Sequence, residues 1–325
     1  MKSMPVALAL AAATTLSTLA LIPTAEATPS PQRTVVDASS WRALCTPTDK
    51  GLEELSGLTV TGGSMYAIGD SNSDDRVAEL DSHCRLTRWI PVPVPRVDVE
   101  DLAASSDGTL WLADIGDNKA KRSAVALIPI TPDGVTTGAR RLSYPDGAHN
   151  AEALLLTRAG TPIIVTKDFS GTAGIYTPAT PATISELSTT AVTTLQKIGS
   201  VTITPTATPG GYKGTEGSKT VTGGSVSADG TVAALRTYSD VYLYSAPDAD
   251  IASALTTTTP VRVPLPSQPQ GEAIAFTPDG DLISGSEANG GALPPLLVLR
   301  GATTLAHVGA GAVGSLDPLL APFGS

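Results

Sequence analysis

Basic residues, cysteines and aromatic residues are all scarce in this chain of 325 residues. It has 21 Lys and Arg against 31 Asp and Glu, which gives a net charge of −10, and it contains no block of basic residues. Nucleic acids and anionic membrane surfaces are therefore excluded as expected partners. The two cysteines cannot form a four-cysteine zinc site. With 41% hydrophobic and 16% charged residues, the chain is neither a coiled coil nor disordered through charge.

Long apolar runs are also lacking, except at the N-terminus. Lys2 is followed by an apolar run from Val6 to Ile22 and then by Ala25-Glu26-Ala27, which is the pattern of a secretory signal peptide. We predict that residues 1–27 are a signal peptide cleaved after Ala27, with an uncleaved anchor helix as the alternative. The mature protein is then expected to be secreted, monomeric and without membrane contact.

Cys45 and Cys84 are the only possible intrachain disulfide pair in this sequence. Export places them in an oxidising compartment, where such a pair is expected to be bonded, with two free buried thiols as the alternative. They are separated by 39 residues, and closing a loop of that size stabilises a fold by roughly 4 kcal/mol in the loop-entropy model. The predicted role of the bridge is structural.

An internal repeat organises the rest of the chain. Five segments each place a glycine eight residues after a leading residue, and the leading residues are Glu54, Glu100, Glu152, Thr222 and Glu272. Three of these turns read Asp-Gly between apolar runs that alternate, which predicts hairpins. Two further strand-like runs follow each hairpin, and four strands in about 45–50 residues are the unit of a β-propeller.

We therefore predict an all-β fold, a β-propeller of four-stranded blades with five blades favoured. Six blades are the alternative, if one is hidden in the long third interval or built from both termini, and a β-sandwich is the rival fold. The predicted segments are 28–50, with a strand that could close the ring; 51–312, the propeller; and 313–325, a C-terminal tail. Residues 204–219, rich in Thr, Pro and Gly, are predicted to be a surface excursion.

Four phrases of the sequence resemble a known group of proteins. They are VEDLAASSDGTLWLADIGDN, AEALLL, RTYSDVYLY and PQGEAIAFTPDG. These phrases resemble secreted actinobacterial β-propeller proteins and, more distantly, the propellers grouped with esterase-like phytases and gluconolactonase-type enzymes. The resemblance implies the fold and export, and it selects no activity.

A second pattern predicts where a functional site lies. Each hairpin reverses at its glycine, so the leading residue lies opposite a residue that follows the glycine, and these pairs gather at one mouth of the central channel, away from the turns. The predicted mouth consists of Glu54, Asp70, Glu100, Asp114, Glu152, Lys167, Arg236, Glu272 and Glu287.

So many carboxylates close together need compensation. One hypothesis is a hard cation, most plausibly Ca²⁺, bound by Glu100, Asp114, Glu272 and Glu287. The other is an ion-pair network in which Lys167 and Arg236 neutralise neighbouring Glu side chains and join adjacent blades; a solvated ring without a role is the third.

Two classes of function follow from this mouth. The first is a binding or scaffolding protein for an extracellular small molecule or protein ligand. The alternative is a cation-dependent hydrolase of phosphoester, ester or lactone substrates, in which the cation activates water. Glu100, His149 and Glu152 are the candidate catalytic residues, with His149 as a general base, although a loop histidine without a role is the competing interpretation.

Overall fold

The computed structural model describes residues 36–70 and 73–311, which all belong to one compact unit, Arg33–Ser325. The predicted signal peptide (1–27) and C-terminal tail (313–325) lie outside the described residues. Strands dominate the described part of the chain. Within these ranges no helix has the length and apolar character needed to cross a bilayer.

The elements follow one another in short antiparallel steps. The strands are β1 (Trp41–Cys45), β2 (Leu55–Thr61), β3 (Ser64–Gly69), β4 (Arg76–Leu80), β5 (Leu86–Pro91), β6 (Asp101–Ala104), β7 (Leu110–Asp114), β8 (Val125–Ile130), β9 (Arg140–Ser143), β10 (Ala151–Leu156), β11 (Pro162–Thr166), β12 (Thr172–Pro178), β13 (Thr193–Thr202), β14 (Val221–Val226), β15 (Val232–Thr237), β16 (Asp240–Ser245), β17 (Val261–Pro264), β18 (Gln270–Phe276), β19 (Leu282–Glu287) and β20 (Leu296–Leu299). The helices are α1 (Gly214–Gly217), α2 (Ile251–Thr257) and α3 (Ala302–Gly311).

The strands form antiparallel meanders of four. These are β2–β5, β6–β9, β10–β13 and β14–β17, followed by β18–β20 with β1 as the fourth strand. The second and third meanders merge into one eight-stranded sheet, because β9 and β13 pair in parallel between Leu142–Ser143 and Thr193–Thr194. The third meander is the longest, since β13 has ten residues.

The first strand of each meander faces a central channel, and we call β2, β6, β10, β14 and β18 the inner strands. Each inner strand contacts the inner strand of the next meander, and β18 contacts β2, so the ring closes. A closed ring of meanders is the architecture of a β-propeller and not of a two-sheet sandwich. The predicted all-β propeller class is confirmed.

The hydrophobic core lies in the seams between consecutive meanders. Leu155 and Val165 of the third meander pack with Leu235 and Tyr242 of the fourth in one cluster. Further clusters fill the seams between the second and third, fourth and fifth, fifth and first, and first and second meanders. Apolar burial therefore joins each blade-like unit to its neighbours and stabilises the ring as a whole.

The N-terminal strand closes the last meander. β1 pairs antiparallel with β20, with Trp41 opposite Leu299, and the Trp41 side chain is buried. Cys45 at the end of β1 forms a disulfide with Cys84 in the turn between β4 and β5, so the predicted bridge is confirmed. The bridge joins the fifth meander to the first, at the seam where the ring closes.

The 204–219 segment is more firmly attached than the predicted surface excursion. Thr206 and Thr208 donate hydrogen bonds of 2.6 and 2.7 Å to the buried Asp240 carboxylate, which also pairs with Arg262. A buried carboxylate needs such donors, and two of them come from this segment. The segment is therefore tied to the fourth meander.

Candidate functional site

A cluster of carboxylates lies where the inner strands begin, on the face opposite the hairpin turns. We call it the acidic cluster; it consists of Glu54, Asp70, Asp98, Glu100, Glu152, Glu272 and Glu287, together with Lys167. Each of these side chains interacts electrostatically with at least one other member of the set. Glu100, Glu152, Glu272 and Glu287 are buried, and the other members are half-buried.

β-bulges direct the inner-strand residues of this cluster. The register shifts between Ala151 and Ala153 and between Gly271 and Ile274, so Glu152 and Glu272 occupy bulged positions. A bulge places two residues opposite one and re-aims a side chain, which here turns a carboxylate away from the ladder. The same shift in β14 falls at Thr222. The repeat seen in the sequence thus corresponds to a repeated bulge.

In the first meander the bulge carries Ser56 and not the predicted Glu54. The register shifts between Leu55 and Gly57, and the first hairpin closes through the two-residue turn Gly62-Gly63. The other hairpins close through longer turns, so counting eight residues back from the glycine overshoots by two here. The Ser56 hydroxyl donates to the Glu100 carbonyl at 2.7 Å. Glu54 reaches the cluster from the preceding loop instead.

Lys167 forms an ion pair with Glu152 within the cluster. Its Nζ lies 2.5 Å from Glu152 Oε1 and 5.4 Å from the centroid of the Tyr238 ring. Burial alone lowers the pKa of Lys167, but attraction by Glu152 and Glu272 outweighs it, and the pKa is raised well above its ordinary value. Lys167 is therefore charged, as the network hypothesis assumed.

Two carboxylate oxygens close to Lys167 remain without a hydrogen bond. They are Glu152 Oε2 and Glu272 Oε2, on side chains that are 2% and 3% exposed. Burial raises the pKa of both carboxyl groups, and it raises that of Glu100 well above its ordinary value, with repulsion from Glu152 and Asp98 adding to it. The raised pKa values show that attraction by Lys167 does not offset the cost of burying these carboxyl groups as anions.

Glu54, Asp70 and Glu287 converge at the half-buried side of the cluster. One oxygen from each lies within 4.8 Å of the others. Gln270 Nε2 donates to Glu287 Oε1 at 2.5 Å, which holds this side chain in place. Burial, together with repulsion from Asp70 and Glu54, raises the pKa of Glu287 to about 8. Oxygens at this spacing fit a hard cation that takes ligands at roughly 2.3–2.6 Å.

Asp114 interacts with Asp98 at the edge of the acidic cluster, and its hydrogen bonds and its ion pair go to loop residues. Its Oδ1 accepts hydrogen bonds from the backbone amides of Val97 and Asp98 and pairs with Arg122 Nη1 at 2.9 Å. The long loop after β7 brings Arg122 back to the strand end, which the hairpin register alone does not show. Asp114 therefore fixes two loops, and of the predicted cation ligands Glu287 alone belongs to the converging triad.

Arg236 attracts Glu272 electrostatically, whereas its hydrogen bonds go to neutral groups. Its fully buried guanidinium donates hydrogen bonds to the groups around it. The acceptors are the carbonyls of Thr237, Ala273 and Gly285, Ser284 Oγ and Gln268 Oε1. None of the ion pairs in the described chain involves it, so it joins the fourth and fifth meanders through neutral acceptors. Burial lowers its pKa to about 10, although Glu272 opposes this.

His149 belongs to a separate cluster beside the seam between the second and third meanders. Its Nε2 lies 2.9 Å from Asp146 Oδ1 and 3.0 Å from the Tyr176 hydroxyl, and its ring contacts Tyr144 edge-on. Lys197 completes this cluster, 3.7 Å from Asp146. The contacts described for His149 are thus all outside the acidic cluster, and nothing there presents it to Glu100 or Glu152 as a general base.

One residue of the acidic cluster and two residues that contact it were missed, because they lie outside the hairpin repeat. Asp98 precedes β6 by three residues, Gln270 begins β18, and Tyr238 lies in the turn between β15 and β16. The one available signal was local: Asp98, Glu100 and Asp101 form an unusually acidic approach to an inner strand. Tyr238 gave no such signal, because its role depends on the position of Lys167.

Comparisons with known proteins show similarity only at the level of the fold. No family model and no curated protein matches the chain. Among solved structures, Myxococcus xanthus glutaminyl cyclase aligns with a TM-score of 0.48 and 12% identity, over 82% of this chain and 97% of that one. A PQQ-bound aldose sugar dehydrogenase from Streptomyces coelicolor gives 0.42 and 10%, over 79% and 96%. A gluconolactonase from Xanthomonas campestris gives 0.39 and 10%, over 79% and 88%. At these values neither residues nor activities carry over.

Proposed function

We propose that this chain is an exported, five-bladed β-propeller that binds Ca²⁺ in its acidic cluster and, through it, an extracellular ligand. The five meanders and their ring of inner strands support the blade count. The Cys45–Cys84 disulfide supports an oxidising compartment, in agreement with the N-terminal sequence pattern. We infer that the mature protein acts as a monomeric binding module, since the ring is complete within one chain.

The observation that carries the proposal is the convergence of Glu54, Asp70 and Glu287. Three carboxylate oxygens within 4.8 Å of one another repel each other unless protons or a cation compensate them. Glu152 and Glu272 each have a buried oxygen without a hydrogen-bond partner, and these oxygens extend the set of possible oxygen ligands inward. Ca²⁺ suits this donor set, because it takes six to eight oxygen ligands in flexible geometry. Three carboxylates leave coordination positions for a ligand.

Hydrolysis of phosphoester, ester or lactone substrates is the second candidate function, and Glu100 is the observation that favours it. Burial and repulsion from Glu152 and Asp98 raise the pKa of Glu100 well above its ordinary value, which favours the protonated form that a general acid needs. A bound cation would supply Lewis-acid activation of water or of the substrate carbonyl. Glu152 would hold the positive charge of Lys167 beside Glu100. His149 lies in a separate cluster with Tyr176 and has no role in this mechanism.

Thermal unfolding with and without Ca²⁺ tests the proposal. Protein freed of metal with a chelator should show a melting temperature that rises in a saturable way as Ca²⁺ is added, since a ligand that binds only the folded state stabilises it by about 2.7 kcal/mol at one hundred times its dissociation constant. Glu287→Gln should abolish this shift. Glu186→Gln, which removes the same charge from an exposed loop carboxylate, should retain it. An unchanged melting temperature in wild-type protein would contradict the cation site.

A substrate panel separates the two functions. If the chain is a hydrolase, turnover of nitrophenyl ester, phosphoester or lactone substrates should require Ca²⁺ and be lost in Glu100→Gln. If it is a binding module, the panel should show no turnover while the Ca²⁺-dependent stabilisation persists. Turnover that survives both the chelator and Glu100→Gln would contradict the proposed role of the cluster in catalysis.

A further inference from the structure

A cavity of about 350 Å³ opens at the other end of the channel, among the hairpin turns. We call it the turn-face cavity. Its walls come from the turn ends of β2, β6, β10, β14 and β18, and they include both hydroxyl-bearing residues and apolar ones such as Leu102, Leu156 and Phe276. Its volume lies in the range of small-molecule sites. The acidic cluster lies at the opposite ends of the same strands.

A buried carboxylate lies between the two ends of the channel. Asp101 follows Glu100 in the sequence and precedes Leu102, which lines the turn-face cavity. Its Oδ2 accepts a hydrogen bond from the Leu154 amide at 2.9 Å, which joins β6 to β10. Asp101 and the two strands that it joins therefore lie between the turn-face cavity and the acidic cluster. The cavity is a site distinct from the acidic cluster.

One turn breaks the pattern that the others share. In three turns the third residue is an aspartate, and the carboxylates of Asp107 and Asp229 accept hydrogen bonds from a turn hydroxyl and a following amide. The turn after β10 reads Thr157-Arg158-Ala159-Gly160 and has alanine at that position. It therefore lacks the stabilising carboxylate that the same turn has elsewhere.

The same turn carries an arginine on the rim of the cavity. The second turn residues, Ser106, Arg158, Ala228 and Pro278, all line the turn-face cavity, and Arg158 is the charged one among them. Its exposed guanidinium makes no hydrogen bond or ion pair within residues 36–70 and 73–311. Asp248 and Asp250 line a shallower neighbouring cavity with it, and neither pairs with it. Asp107, the other charged lining residue, is engaged in its own turn.

We propose that the turn-face cavity binds a small organic anion, whose acidic group pairs with Arg158 and whose apolar body packs against Leu156 and Phe276. An arginine that is free of carboxylates presents a fork of donors suited to a carboxylate, sulfonate or phosphate. The apolar walls and the absence of a second free cation in the lining favour a single negative charge on a largely apolar molecule. This site is independent of Ca²⁺ binding at the acidic cluster.

Two matched fluorescent probes test the proposal. Anilinonaphthalene sulfonate carries an aromatic body with one negative charge, and phenylnaphthylamine is its neutral counterpart. The sulfonate should bind native protein saturably at one site, and Arg158→Gln should weaken this binding about tenfold or more, because it removes the charge-assisted hydrogen bonds to the sulfonate. Binding of the neutral probe should be unaffected by Arg158→Gln. Arg141→Gln, which removes an exposed arginine on β9, should change neither.

A steric variant shows where the probe binds. Ala228→Trp fills the rim of the cavity from an exposed turn position and should abolish binding of both probes. Ala159→Trp, on the neighbouring turn, provides the same test if Ala228→Trp lowers the melting temperature. Sulfonate binding that survives both tryptophan variants, an equal effect of Arg158→Gln and Arg141→Gln, or no saturable binding at all would each overturn the proposal.

Discussion

Replacing Lys167 by methionine should destabilise the protein far more than replacing Lys197. Lys167 Nζ lies 2.5 Å from Glu152 Oε1, and the two side chains are 10% and 2% exposed. Removing one partner of such a buried pair leaves the other charge without compensation, which typically costs about 3–5 kcal/mol. A Coulomb energy of about 4 kcal/mol, for charges about 4 Å apart at an effective dielectric constant of about 20, agrees with that range.

Lys197 is a closely matched control. It also lies near a carboxylate, 3.7 Å from Asp146, and 5.6 Å from the Tyr176 ring centroid, much as Lys167 lies 5.4 Å from Tyr238. Its ion pair is exposed, so Lys197→Met should lower the free energy of unfolding by less than about 1 kcal/mol. Both variants lose a contact with an aromatic ring, so the difference between their free energies of unfolding measures the effect of burying the ion pair.

Urea unfolding in the presence of a chelator measures this difference. The loss for Lys167→Met should shrink when Glu152→Gln is added, because the carboxylate left unpaired by the first change is then neutral. Addition of Ca²⁺ should also recover part of it, since the cation supplies the missing positive charge. Equal losses for Lys167→Met and Lys197→Met, within about 0.5 kcal/mol, would refute the interpretation of Lys167 as the internal cation of the acidic cluster.

Three further predictions concern the disulfide, the pH dependence and the buried arginine. Replacing both cysteines by serine should lower the free energy of unfolding by about 4 kcal/mol in denaturant titrations, and a loss below about 1 kcal/mol would contradict ring closure by the bridge. The pKa of Glu287 is raised to about 8 in the folded protein, so protonation of this carboxyl group stabilises the fold. This stabilisation is complete at pH values below the ordinary pKa of a glutamate, and it is lost as the pH rises through about 8. The Ca²⁺-induced rise in melting temperature should therefore be larger at about pH 8.5 than at about pH 5.5, and a shift independent of pH would contradict proton competition at this carboxylate. Arg236→Met should cost at least about 3 kcal/mol relative to Arg141→Met, since it leaves several buried acceptors without donors; a loss equal to the control would show that these acceptors find other partners.

Local patterns in the sequence predicted the elements that depend on neighbouring residues. The glycines of the five hairpins predicted the turns, because a residue with positive φ is needed there, and Gly108, Gly160, Gly230 and Gly280 all have it. The alternating apolar runs on either side predicted paired strands, and their repetition predicted a propeller. The two cysteines could pair only with each other. These features require no knowledge of contacts between distant segments.

Counting along the chain was insufficient where one turn differed from the rest. The two-residue turn Gly62-Gly63 shifted the register of the first hairpin, so Ser56 took the bulged position and Glu54 joined the cluster from a loop. The third turn retained the glycine but carried Arg158 and Ala159, and only the arrangement of all the turns around one cavity gave that change a meaning.

The partners of charged side chains were decided by the tertiary structure. Asp114 and Arg236 occupied the predicted strand positions, yet a returning loop brought Arg122 to the first, and the neighbouring meander surrounded the second with carbonyls. Lys167 found Glu152 within its own hairpin, where sequence spacing is informative. A hairpin register specifies which residues lie opposite one another, whereas the direction of a long side chain depends on which donors, acceptors and charges the rest of the ring places around it.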